Sequence, residues 1–268
     1  MSHHVLLLGG HGKVAQLLTP LLLKRSWTVT SVIRTQEQVG TIKKLGEGSK
    51  GGKLNVLVRS LEDVKSEGDA KRVMEDAGKE GGKGVDYVVW SAGAGGKGGP
   101  ERTYAIDRDA AIHFIHASAS IPSVSRFLMV SYLASRKAKP SWWSDEEWRA
   151  AEQVNKEVLP MYYKAKLAAD EELYRVSRRS KTLVGINLRP GTLTLEPAGK
   201  VELGKTKGSR GDVGRETVAV VADRLLAAEG VKNSWIDLLD GEEGVEEAVG
   251  RVVREGVDAA EGDPVYNE

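Results

Sequence analysis

The chain has 268 residues, 29% of them charged, and a formal net charge of +1; so even a mixture lacks the single-sign field that recruits nucleic acid or an anionic membrane. It contains no cysteine, which excludes disulfides, thiolate metal ligands and a cysteine nucleophile and suits a reducing compartment, the cytoplasm. No apolar run approaches the ~20 residues of a membrane span, and no charged leader precedes Val5-Leu6-Leu7-Leu8, so a soluble single domain spanning 1–268 is expected.

Along the chain, short runs of Val, Ile and Leu alternate with segments of helical period, the pattern of strands and crossover helices in a parallel sheet. Strands are predicted at 4–9, 28–34, 53–58, 85–91, 126–131, 183–188 and 234–238. The first leads into Gly9-Gly10-His11-Gly12-Lys13-Val14-Ala15, a glycine turn that opens a helix. Glycine permits positive φ and lets backbone approach a pyrophosphate, whose charge is met by free N–H groups at the helix start. The spacing is G-x-x-G-x-x-A, a variant of the dinucleotide turn, and the bland alternative is a tight turn alone. In the helix that follows, Val14, Leu17, Leu18, Leu21 and Leu22 form an apolar stripe, and Pro20 is expected to bend its last turns.

The second strand ends without the acid that grips the ribose 2′-hydroxyl of NAD. Arg34 stands there instead, suited to a 2′-phosphate with Lys13 or Thr35 assisting, so NADP(H) is favoured over NAD(H). Glycine clusters at 46–52, 78–84 and 93–99 read as connections. His113 and His116 have no partners for a recognisable ligand set, and no metal site is expected.

After the strand at 126–131, which ends in Ser131, residues 139–148 hold three of the six tryptophans, Trp142, Trp143 and Trp148. They suit a lid, around 136–160, over a planar or hydrophobic small molecule; a cluster anchoring a long loop and a self-association surface are the alternatives. Tyr162 and Lys166 make Y-x-x-x-K, sharing one helix face, so that an ammonium can assist a phenol; Tyr163 is a neighbouring competitor. Ser131 lies where a hydroxyl can orient a substrate carbonyl. Asp212 is expected to cap a helix over 213–228, whose Val218, Val221, Ala222, Leu225 and Leu226 form its apolar face. Nothing selects between monomer and homodimer.

Taken in order, the glycine turn, Val88-Val89-Trp90-Ser91-Ala92-Gly93, Thr103 to Asp107, Phe127-Leu128-Met129-Val130-Ser131, the stretch from Tyr162 to Asp170, Leu188-Arg189-Pro190-Gly191 and Ser209-Arg210-Gly211-Asp212-Val213 resemble the atypical short-chain dehydrogenase/reductase superfamily, in its NAD(P)H-binding, NmrA-like and biliverdin-reductase-B-like branch. The resemblance runs through nearly the whole chain. It implies a Rossmann-type doubly wound parallel sheet of about seven strands flanked by helices, with a small substrate-side part around 190–268. It further implies that Ala92 and Gly93 line the cofactor cleft, that Pro190 and Gly191 approach the nicotinamide, and that Ser60-Leu61 stands where relatives often carry Asp-Leu near the adenine. With Ser131, Tyr162 and Lys166 as the catalytic set and Lys166 also on the cofactor ribose, the implied activity is NADPH-dependent hydride transfer to a small carbonyl, conjugated or flavin-like acceptor. Two other readings stay open: a non-catalytic NADP(H)-sensing regulator, and an isomerase, epimerase or lyase-like enzyme.

Overall fold

The first strand, His-Val-Leu-Leu-Leu, is buried along its whole length, as a central strand covered on both faces must be. Its side chains alternate. Val5 and Leu7 enter one core and Leu6 and Leu8 the other. The structure, a computed structural model, describes residues 2–94 and 99–268. The strands are β1 (His4–Leu8), β2 (Thr28–Ile33), β3 (Lys53–Val58), β4 (Tyr87–Trp90), β5 (Arg126–Val130), β6 (Val184–Pro190), β7 (Thr192–Thr194), β8 (Val201–Gly204), β9 (Asp212–Gly214) and β10 (Ser234–Asp240). The helices are α1 (Lys13–Lys24), α2 (Val39–Lys44), α3 (Glu67–Gly81), α4 (Gly99–Thr103), α5 (Ala111–Ser120), α6 (Asp145–Gln153), α7 (Pro160–Arg179), α8 (Arg215–Ala227) and α9 (Val245–Glu255). None is long and apolar enough to cross a membrane, among the described residues.

Among the described residues, eight strands form one sheet in the order β3-β2-β1-β4-β5-β6-β10-β8, parallel except for β8 at the edge. The chain winds outward from β1 to β3 and then returns to β4 on the other side of β1. A crevice therefore opens above the carboxyl ends of β1 and β4, where this topology binds ligands. One face is covered by α1, α8 and α9, with Leu18 and Leu22 meeting Val218 and Leu225 in a single core, and the other by α3, α5 and α7.

Several expectations need correcting. In α1 Leu17 is exposed and Leu21 only partly buried, and the buried face is two positions wide at each turn: Val14 and Ala15, Leu18 and Thr19, Leu22 and Leu23. The helix runs on through Pro20 to Lys24. The glycines at 78–84 are not all connection, because α3 continues to Gly81 and stops at Gly82, whose φ of 77° makes a left-handed cap. Of the cluster at 93–99, residues 95–98 lie outside the described residues. Asp212 caps nothing: it is exposed in β9, and α8 starts at Arg215 behind Gly214. After 190, β10 and β8 extend the main sheet while β7 and β9 pair beside it.

Candidate active site

β1 delivers the chain into a turn that only glycine can make. Gly9 has φ of 81°, and a Cβ there would lie 2.6 Å from the Ala92 Cα, so the turn both requires left-handed backbone and abuts the chain leaving β4. Gly12 N–H donates to Gly9 O at 2.8 Å and closes the turn. α1 then begins with no side-chain cap and no acid in its first turn, leaving its first N–H groups for an anion. The adjoining cleft, about 280 Å³, is lined by Gly9, His11 and Gly12 on one side and Ala92 and Gly93 on the other, with Arg34, Ser60 and Leu61 at one end. Other predicted residues lie off its wall. Gly10 is buried where a Cβ would fall 1.8 Å from Ser31 Oγ, Val14 belongs to the core, and the Lys13 side chain is exposed. Thr35 starts the short helical turn Gln36–Gln38, and its N–H donates to Gln38 Oε1.

At the Arg34 end, sequence reading missed Arg59. Its N–H donates to Ile33 O at 2.9 Å, which continues the β2–β3 ladder and sets Arg59 beside Arg34. The signal was available, since Arg59 directly precedes Ser60-Leu61. Glu62 faces the same space, 3.9 Å from Arg34 Nη1, and accepts from Arg102 Nε at 2.8 Å. A cradle of glycine and free N–H groups fits the pyrophosphate of a dinucleotide, with Arg34, Arg59 and Arg102 along the same cleft.

The other half of the site is closed and charged. α7 sets Tyr162, Lys166 and Asp170 one turn apart on a single face, the last two buried. Lys166 Nζ lies 3.2 Å from Asp107 Oδ1, 3.4 Å from Val130 O and 5.7 Å from the Tyr162 ring centre. Burial works against its ammonium, but Tyr162 and the carboxylates of Asp107 and Asp170 outweigh it and hold the lysine above its ordinary value. Tyr162 is pushed up, by burial first and by Asp107 and Asp170 against Lys166. The Ser131 hydroxyl donates to Asp170 Oδ2 at 2.7 Å, a carboxylate being the stronger acceptor nearby. Burial raises Asp170 to about 6, opposed by Arg189, Ser131 and Lys166.

Tyr132 was also missed. Its ring lies 5.7 Å from that of Tyr162, and burial pushes its phenol up to about 12. Tyr163, the competitor, faces away and donates to Arg136 O. Pro190 and Gly191 are packed: a Cβ on Gly191 would meet Gly211 O at 2.4 Å, which accounts for glycine there without a ligand. Nor do the tryptophans all face the site. Trp143 is 2% exposed, donates to Thr206 O at 2.8 Å and, with Trp142, flanks the buried Arg136, so this pair anchors the long loop.

A protein from Schizosaccharomyces pombe, UPF0659 protein C216.03, is 31% identical over 256 residues, which is 92% of this chain and 94% of that one. The uncharacterized sugar epimerase YhfK of Bacillus subtilis is 28% identical, covering 91% of this chain and 98% of its own. Among solved structures, the oxidoreductase ylbE from Lactococcus lactis shares the fold with a TM-score of 0.69 at 20% identity, over 94% of this chain and 97% of that one. The model of the family described as NAD(P)H-binding matches residues 9–229, spanning β1's glycine turn to the end of α8, and the chain belongs to that NAD(P)H-binding family within the atypical short-chain dehydrogenase/reductases.

Proposed function

We propose that the protein is an NADPH-dependent oxidoreductase that reduces a small carbonyl, conjugated or flavin-like acceptor. The observation that carries this reading is the pair Arg34 and Arg59 at the end of a glycine-lined cleft, where the second strand offers no acid to a ribose 2′-hydroxyl. When bound, the nicotinamide supplies hydride. The N–H groups opening α1 hold the pyrophosphate, Ser60 and Leu61 flank the adenine, and Arg34 grips the 2′-phosphate. Lys166 holds the ribose, and the Tyr162 phenol gives its proton to the substrate oxygen. Ser131 is oriented by Asp170, and the segment around 136–160, tied down by Trp143, closes the substrate side. The cysteine-free composition suits this chemistry in the cytoplasm.

Calorimetric titration with NADPH and NADH in parallel tests the cofactor. Tighter binding of NADPH is expected, and equal binding refutes the role of Arg34. With an acceptor found by screening, Tyr162→Phe is expected to lower turnover at least about 10²-fold with cofactor affinity retained; unchanged turnover removes Tyr162 from the reaction. A second reading, an epimerase that oxidises its substrate only transiently, is favoured by the name of the Bacillus subtilis relative. Steady conversion of substrate with no net consumption of NADPH identifies it.

A further inference from the structure

Between α4 and α5 the chain makes a π-helical turn, Tyr104–Ala110, and from it Asp107 reaches the centre of the molecule with no exposure at all. One carboxylate oxygen accepts the N–H of Ala94 at 2.9 Å, just after the Ala92-Gly93 wall of the cleft, and the other faces Lys166 Nζ at 3.2 Å. Gly93 leaves room for this, since a Cβ there would lie 3.0 Å from Asp107 Oδ1. An ammonium alone beside a phenol in a dry site would favour the phenolate strongly. Paired with a carboxylate at 3.2 Å, it presents a dipole, whose field falls off faster than that of a charge.

We propose that Asp107 is a positioning residue that neutralises Lys166 and so keeps Tyr162 a protonated phenol, making the site a proton donor at neutral pH and its substrate a carbonyl to be reduced. The inference rests on the reductase reading above. In the step itself the carbonyl carbon gains a C–H bond from the hydride of the nicotinamide, which is oxidised. The carbonyl oxygen gains an O–H bond with the proton of Tyr162, and water reprotonates the phenolate. Every charged or titratable neighbour of Tyr162 fits this balance. Lys166 favours the phenolate, Asp107 and Asp170 oppose it, and Tyr132 stands across from it with Arg189 beyond. The positive charge nearest the phenol is thus met by two carboxylates.

The test is a spectrophotometric titration of tyrosinate absorbance on the full chain, with and without saturating NADPH, in which the difference between wild type and Tyr162→Phe isolates Tyr162. In the wild type Tyr162 is expected to ionise above the ordinary phenol value of about 10. In Asp107→Asn, compared with Asp107→Asn/Tyr162→Phe, it is expected to ionise at least one pH unit lower, a tenfold gain in phenolate at a given pH. A structural role alone would not move this curve. Ionisation of wild-type Tyr162 below about 10 overturns the proposal whether or not the Asp107 variant folds, as does a variant curve that stays in place or moves up. Failure of every carbonyl acceptor would instead refute the reductase reading, and the tyrosine titration does not depend on finding one.

Discussion

Gly9→Ala should cost about 2–4 kcal/mol and abolish NADPH binding, whereas Gly10→Ala, one residue on, should cost roughly 1 kcal/mol. At Gly9 two penalties coincide. The left-handed backbone, φ 81°, costs an L-residue roughly 1–2 kcal/mol. The new Cβ would also sit 2.6 Å from Ala92 Cα and 2.7 Å from Ala92 N. Those are backbone atoms of the opposite cleft wall, which yield only if the end of β4 moves. At Gly10 the nearest atom is Ser31 Oγ at 1.8 Å, and Ser31 Cβ is at 3.1 Å. That hydroxyl has no hydrogen-bond partner, so it rotates aside without losing one. For a chain of this size 3 kcal/mol corresponds to roughly 6–12 °C in Tm. Thermal and urea denaturation of both variants, with NADPH titration of each, checks the contrast. Equal losses at the two positions, or a Gly9→Ala protein that keeps its stability and its NADPH affinity, would refute the argument from the Ala92 contact.

Two further predictions address the two halves of the site. Arg34→Glu should weaken NADPH by at least the roughly 1.5–3 kcal/mol of a charge-assisted contact and leave NADH much less affected, and calorimetry that finds equal losses refutes the phosphate role. Asp170→Asn should change how stability depends on pH. Burial pushes the folded carboxyl up to about 6 from its ordinary value of 3.8, so between those values the native state holds a proton that the unfolded state has released, and wild-type stability falls as pH rises. The asparagine variant lacks this fall and should gain roughly 2–3 kcal/mol relative to wild type between pH 4 and 7; urea midpoints that keep a constant offset across that range refute it.

The cofactor half was legible because its signals are local. A buried strand, a glycine turn and a helix start are contiguous in sequence, and Arg34 is read from its place at a strand end. The neighbours of Arg34 and Lys166 are brought in by pairing and packing, and only Arg59 left a local trace, directly before Ser60-Leu61. Arg59 reaches Arg34 through the β2–β3 register, and Asp107 meets Lys166 from a π-helical turn that packs against α7. Ser131 follows β5 as its sequence position implies, but nothing local reveals that Asp170, 39 residues on, accepts its hydrogen bond. The short strands β7, β8 and β9 carry no alternating run long enough to register, and the tryptophans of the long loop signalled burial without saying what they are buried against.

The two halves also obey different electrostatics, and this shapes what each can discriminate. Arg34 and Arg59 are half-exposed, so the phosphate contacts proposed for them are ones that salt would weaken. Beyond Gly93 the charges are dry and paired: Lys166 with Asp107, and Arg136 with Asp237 at 2.6 Å, both members of each pair essentially unexposed. Arg189 donates to the carbonyls of Leu133 and Ser135, and burial with Arg136 nearby lowers it to about 10. Arg189 thus holds the backbone from 132 to 135, and Arg136, in the same loop, ties it to Asp237 and Ala259 O, which together fix Tyr132 against Tyr162. Removing one partner of such a pair strands the other without water, typically costing about 3–5 kcal/mol. A substitution at Arg136 or Asp237 should therefore reach Tyr162 through the position of Tyr132, while leaving Arg34 and Arg59 untouched.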